Sequence, residues 1–333
     1  MTELYNRVCN VIVGKEISNC KDVIFIFGSP TWNEKKGEPS KSRGNICKGK
    51  IQPSDWIEVE YQRRGISQER TIMDGFSIKS NVFSDNNYDS IDIDSMSLFI
   101  DIINSQYKSI IVDITLLNIR FLGAFLAVLP YYKWDMLYLC YTEPGEYIEK
   151  DEKGTRYFDL KYSTLGFDEI PNLQTEGDNT TDCEWIVFMG FEGGRLGQLE
   201  EEASPGRKYV IPVMCIPSMR AEWRNYAIEV NMDFIENLKE HEQLKYVSAV
   251  NPFEVFEFLT KEKQNTRLRM KISPVGTKLT VLGSIMYIIE NSEDMLLTDN
   301  PYQEEENAID YGESYCYDLT YFIKTVKNKR FVR

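Results

Sequence analysis

The sequence predicts an α/β protein: Rossmann-like parallel sheets with helices on both faces, arranged as two α/β halves. Three observations carry this. Short β-rich apolar runs alternate with longer helical patterns through the second half. The first half repeats the alternation with longer polar connections. A composition of 42% apolar and 13% aromatic residues over 333 positions is enough for a substantial core.

In the second half the strand runs fall at 184–191 (EWIVFMGF), 209–216 (YVIPVMCI), 245–250 (KYVSAV), 268–272 (LRMKI) and 295–298 (MLLT). Helical patterns at 196–203, 221–240, 253–263 and 277–291 lie between them. In the second of these, Trp223, Tyr226, Ala227, Val230, Phe234 and Leu238 recur at spacings of three and four. Continuous apolar strands joined by helices imply a parallel sheet covered on both faces.

The first half offers strands at 23–27, 56–61, 109–114 and 136–141, with a helix over 120–132. Residues 31–53 and 82–95 are rich in polar and turn-forming types and read as exposed loops. A third polar stretch, 172–182, suggests domains of 1–175 and 176–333. The alternative is that both sets of strands form one continuous sheet.

Lys and Arg number 38 against 52 Asp and Glu, a net charge of −14. A chain this acidic is not expected to grip long nucleic acid directly. The seven cysteines show no C-x-x-C spacing and the chain has one histidine, so no metal is expected and the thiols read as reduced in a cytoplasmic protein. The amino terminus lacks the features of a signal peptide, and no apolar run approaches the roughly 20 residues that span a bilayer, so no membrane association is expected.

Candidate chemistry gathers at strand ends. Residues 273–278 (SPVGTK) follow a strand and open a helix, where exposed N–H groups and the helix dipole favour an anion. Ser273, Gly276, Thr277 and Lys278 are the candidate ligand residues. The plain alternative is that Thr277 caps the helix and Gly276 permits the turn. A second turn, 190–195 (GFEGGR), adds Gly193, Gly194 and Arg195. It is not the dinucleotide fingerprint, so no cofactor is expected.

In the first half Asp113 and Glu143 stand at strand ends and would make an acid–base pair if they faced one crevice. Arg63, Arg64 and Arg70 could supply positive charge there. The alternative is that both carboxylates satisfy loop N–H groups. Residues 44–50 (GNICKGK) fit a phosphate-loop spacing but lack the following Ser or Thr, and read as a plain basic loop. His241 reads as a surface residue, which leaves histidine-dependent catalysis without a candidate. Cys215 reads as a buried thiol.

The strand, Ser273-Pro274-Val275-Gly276-Thr277-Lys278 and the helix opening Leu279-Thr280-Val281-Leu282-Gly283 resemble the CRISPR-associated Rossmann fold (CARF) family of ligand-sensing proteins in prokaryotic defence systems. The resemblance covers about a dozen residues. It implies sensing of a small anionic ligand such as a cyclic nucleotide, a protein partner, a homodimer and a role in antiviral defence; the sequence departs from the family in showing no recognisable nuclease or DNA-binding module. The rival readings are an enzyme acting on a nucleotide or nucleoside through Asp113 and Glu143, and a structural subunit that binds a protein partner.

Overall fold

The computed structural model describes residues 8–10, 22–29, 44–66, 71–147, 149–152, 155–158, 164–175, 182–190, 193–203, 207–216, 218–238, 243–301 and 308–326. In chain order the elements begin with β1 (Val8–Asn10), β2 (Val23–Gly28), α1 (Gly44–Ile51), β3 (Trp56–Ile66), β4 (Thr71–Ser80), β5 (Asn86–Tyr88), α2 (Ile93–Gln106), β6 (Ser109–Asp113), α3 (Ile119–Val128) and β7 (Met136–Tyr147). There follow β8 (Glu149–Glu152), β9 (Thr155–Phe158), β10 (Thr164–Glu169), β11 (Cys183–Met189), α4 (Gly193–Ala203), β12 (Arg207–Cys215), α5 (Ala221–Val230) and α6 (Met232–Glu236). The last are β13 (Lys245–Val247), α7 (Pro252–Asn265), β14 (Arg269–Pro274), α8 (Lys278–Glu290), β15 (Met295–Pro301), β16 (Ala308–Asp318) and α9 (Thr320–Thr325).

The chain forms two compact α/β units. One comprises the described residues of 7–147 and 308–327; the other comprises those of 148–307. The boundary read near residue 175 therefore falls inside the second unit. β10, which precedes that boundary, pairs with β15, and β16 returns to pair with β7. Neither pairing leaves a local trace in sequence, because each joins segments more than 100 residues apart.

The sheet of the first unit has the order β1-β16-β7-β6-β2-β3-β4-β5. Its centre, β7-β6-β2-β3, is parallel, and antiparallel strands flank it on both sides. On one face α2 and α3 build an aromatic cluster: Phe76 stacks on Tyr88 at 4.3 Å and meets Phe99 and Phe121 edge-on at 5.4 and 5.0 Å. Burial of Met96, Phe99, Ile100 and Ile103 at helical spacing explains why α2 forms, and Asp92 caps it by accepting from Ser95 N at 2.8 Å. The other face carries Phe25, Phe27, Ile111 and Cys140 with Cys47 and Ile51 of α1. The segment 44–50 is thus helical, where a basic loop was expected. Its two glycines lie within the helix, so they cannot form a phosphate cradle ahead of one.

The sheet of the second unit has the order β10-β15-β14-β11-β12-β13. All neighbours from β15 to β13 run parallel, and β10 closes one edge antiparallel. Numbered along the chain, the five parallel strands stand in the order 3-2-1-4-5. Successive crossovers run outward in opposite directions from β11 and β14, so the topological switch lies between these two. Trp185, Val187 and Met189 of β11 pack with Leu196 and Leu199 of α4 and Ala227 of α5. α7 and α8 pack closely together: a β-carbon on Gly283 of α8 would lie 2.4 Å from Pro252 O. The helix expected over 221–240 is broken at Asn231, whose amide nitrogen donates to Ala227 O at 2.7 Å and to Gly190 O at 2.8 Å.

Candidate functional site

The two glycine-bearing turns singled out in sequence both lie at the switch between β11 and β14, the position where open α/β sheets bind ligands. They pack on each other. A β-carbon on Gly190 would lie 2.2 Å from Val275 O, and one on Gly276 would lie 3.1 Å from Cys215 Sγ and 3.0 Å from Thr280 Oγ1. The missing side chains at 190 and 276 are therefore used by the protein to seat one turn against the other and against the end of β12.

Thr277 caps α8, its hydroxyl accepting from Thr280 N at 3.3 Å and donating to Ala249 O at 2.8 Å. The hydroxyl thus ties the turn after β14 to the turn after β13. Lys278 opens α8 and is half-buried. Ser273 lies inside the sheet opposite Val187, buried, and its hydroxyl accepts from Trp185 Nε1 at 3.0 Å. It braces the core beneath the edge and does not face a ligand. Gly193 and Gly194 form the first turn of α4 with Arg195, bringing the backbone N–H groups of that helix start to the β11 side of the switch.

Sequence reasoning missed Asn231. It is 2% exposed and joins the end of α5 to the first residue beyond β11 through Gly190 O. Both protons of its carboxamide point at carbonyls, and among the described residues its Oδ1 has no hydrogen-bond partner. A buried acceptor left in this way is costly unless a donor reaches it. No spacing motif marks an asparagine between two helices, so no sequence signal could have found it.

Cys215 sits beside the same turn. Burial pushes its thiol up to about 12, against the opposing effect of a Thr277 N–H that donates to the sulfur. It stays protonated near neutrality, in keeping with a buried thiol.

In the first unit β6 and β7 are neighbours, with Asp113 opposite Cys140 in register. The pleat then places Asp113 on the face of Cys140, whereas Glu143, three residues beyond Cys140, lies on the opposite face with Tyr141. Asp113 Oδ1 accepts from Thr115 N at 2.9 Å, closing a tight turn at the strand end. Glu143 accepts from Tyr315, whose phenol is pushed up by burial and by that carboxylate. The two carboxylates are held by separate partners on separate faces and do not form an acid–base pair.

Arg63 and Arg64 lie on β3 opposite Asp74 and Met73. Arg70 lies outside the described residues, as does His241. Among the described residues the buried guanidinium of this unit is that of Arg120, whose Nε and Nη2 meet Asp74 Oδ2 at 2.9 and 2.8 Å, while Tyr61 donates to Asp74 Oδ1 at 2.6 Å.

Among the described residues no group of three or more His, Cys, Asp or Glu is arranged to hold a metal ion, and no helix is long and apolar enough to cross a membrane. The fold and the switch-point edge define the class: an α/β protein with two largely parallel sheets. No family model, curated protein or solved structure matches the chain.

Proposed function

We propose that the carboxyl edge of the second unit's sheet binds a small anionic ligand of the nucleotide class, and that the protein acts as a sensor of it. The observation that carries this reading is the coincidence of the β11/β14 switch with a buried, unpartnered Asn231 Oδ1. The starts of α4 and α8 supply N–H groups for an anion, Lys278 supplies formal charge, and Asn231 Oδ1 accepts an N–H such as a nucleobase carries. A phosphate and a base offer both kinds of group in one molecule. An acidic exterior repels long polyanions, while a few cations at strand ends still admit a small one.

The enzyme reading loses support, since its carboxylates stand on opposite faces. Relay to a protein partner, homodimerisation and a part in antiviral defence rest on the CARF-like resemblance of residues 273–283.

Calorimetry of the full chain against mono-, di- and cyclic nucleotides tests the site. Lys278→Ala should weaken binding about tenfold or more through loss of a charge-assisted contact, with the melting temperature unchanged. Asn231→Asp should alter the preference among bases. Equal affinity in Lys278→Ala and the parent, or no binding across the panel together with no co-purified ligand in native mass spectrometry, would overturn the reading.

A further inference from the structure

Among the described side chains, three thiols from three elements meet at the face of the first unit's sheet that lies under α1: Cys47 of α1, Cys140 of β7 and Cys316 of β16, all buried. Cys140 and Cys316 are opposite each other in register, with their sulfurs 3.7 Å apart. The Cys140 thiol is hydrogen-bonded to both of the others. Register also places Cys9 of β1 opposite Cys316. No part of the proposed ligand site uses this cluster.

A hydroxyl relay leads from it to the surface. Lys50 Nζ donates to Ser314 Oγ at 3.1 Å, Ser314 Oγ lies 3.0 Å from Thr142 Oγ1, and Thr142 Oγ1 lies 3.3 Å from Cys47 Sγ. An ammonium cannot accept, so Lys50 donates to Ser314, and either hydroxyl can donate between Ser314 and Thr142. Thr142 Oγ1 and Cys47 Sγ share the last hydrogen bond of the chain, which either can donate. The relay therefore reaches one sulfur, that of Cys47, and has an exposed cation at its far end. Lys50 follows Cys47 by about one helical turn, and α1 has only eight residues, so it is held by packing and opens at modest cost.

We propose that this cluster is a peroxide-oxidisable thiol site in which Cys47 is the reacting sulfur and Cys140 closes the disulfide. The Cys47 thiolate attacks one oxygen of hydrogen peroxide and breaks the O–O bond. The departing hydroxide takes up a proton and leaves as water, and Cys47 becomes a sulfenic acid. The Cys140 sulfur then attacks the Cys47 sulfur, breaking its S–O bond, and the leaving hydroxide takes the Cys140 proton as a second water. Two thiols and one peroxide give one disulfide and two waters. Hydrogen bonds with Cys316 and Cys47, and burial after them, push the Cys140 thiol up, which suits the second role and disfavours the first.

The full chain is treated with hydrogen peroxide, quenched in denaturant with an alkylating agent, and mapped by mass spectrometry. The expected product is a Cys47–Cys140 disulfide, reversed by a dithiol reductant. Ser314→Ala, which breaks the relay and leaves every thiol in place, should slow its formation about tenfold. Cys140→Ser should trap a dimedone-reactive sulfenic acid on Cys47. Circular dichroism of each variant establishes that it is folded. A Cys140–Cys316 bridge in the parent, unchanged rates in a folded Ser314→Ala, or all three thiols intact at peroxide levels that oxidise the methionines would overturn the proposal.

Discussion

The backbone carbonyl of Val275 lies so close to Gly190 that a β-carbon there would stand 2.2 Å from its oxygen. This contact joins the turns after β11 and β14 and fixes the spacing of the strand ends at the switch. Since the obstacle is backbone, no side-chain rotation can relieve it. Gly190→Ala should therefore destabilise the second unit by about 1–3 kcal/mol, the usual cost of overpacking. Gly197→Ala, in α4 with open space around its α-carbon, should instead be neutral or stabilise by up to about 1 kcal/mol. Urea denaturation of the two variants beside the parent checks the contrast; similar midpoints would count against the contact.

Asp294 holds the amino-terminal edge of the same sheet. It is fully buried, and its carboxylate accepts from Lys263 Nζ at 2.7 Å, Met270 N at 2.8 Å and Tyr287 OH at 2.6 Å. Asp294→Ala should cost about 3–5 kcal/mol because it strands a cation, an amide and a phenol together. Tyr287→Phe removes one donor and should cost about 1–2 kcal/mol. Equal losses in the two variants would show that the carboxylate does not serve as the common acceptor.

Acid stability carries a signature of the α2 cap. Burial raises the Asp92 carboxyl, but donation from Ser95 N and from the Ser90 and Ser95 hydroxyls outweighs this and holds it below its ordinary 3.8. A group depressed on folding contributes its full stabilisation above the unfolded value and loses it as pH falls through the folded one. Asp92→Asn keeps a cap acceptor that does not titrate, so its stability should fall less than the parent's as pH drops below about 4. Asp92→Ala should cost about 1 kcal/mol at neutral pH. Thermal melts across that range measure both; parallel curves for Asn and parent would exclude the titration.

The central strands of both sheets were legible because each buries a continuous apolar run, and the helices over 120–132, 253–263 and 277–291 because apolar residues recur there at helical spacing; α2, around Phe99, was not read. The turns of the candidate site were legible for a local reason as well: a strand must hand over to a helix through a cap, and Gly276-Thr277 is such a cap. The roles of those residues were not legible. Gly190 and Gly276 accommodate neighbouring protein atoms, and Ser273 braces Trp185, because the two turns and the sheet beneath them meet only after folding.

By itself the sequence determined the α/β class, the parallel central strands and the helix starts near 120, 221, 253 and 277, all of which follow from hydrophobic period and capping within a few residues. Only the tertiary structure decided that β16 returns to β7, that Asp113 and Glu143 fall on opposite faces, that Asn231 reaches Gly190, and that Cys47, Cys140 and Cys316 meet. Register and crossover direction set those relationships. Both are fixed by how distant segments bury one another's apolar faces, so neither is written in any short stretch of chain.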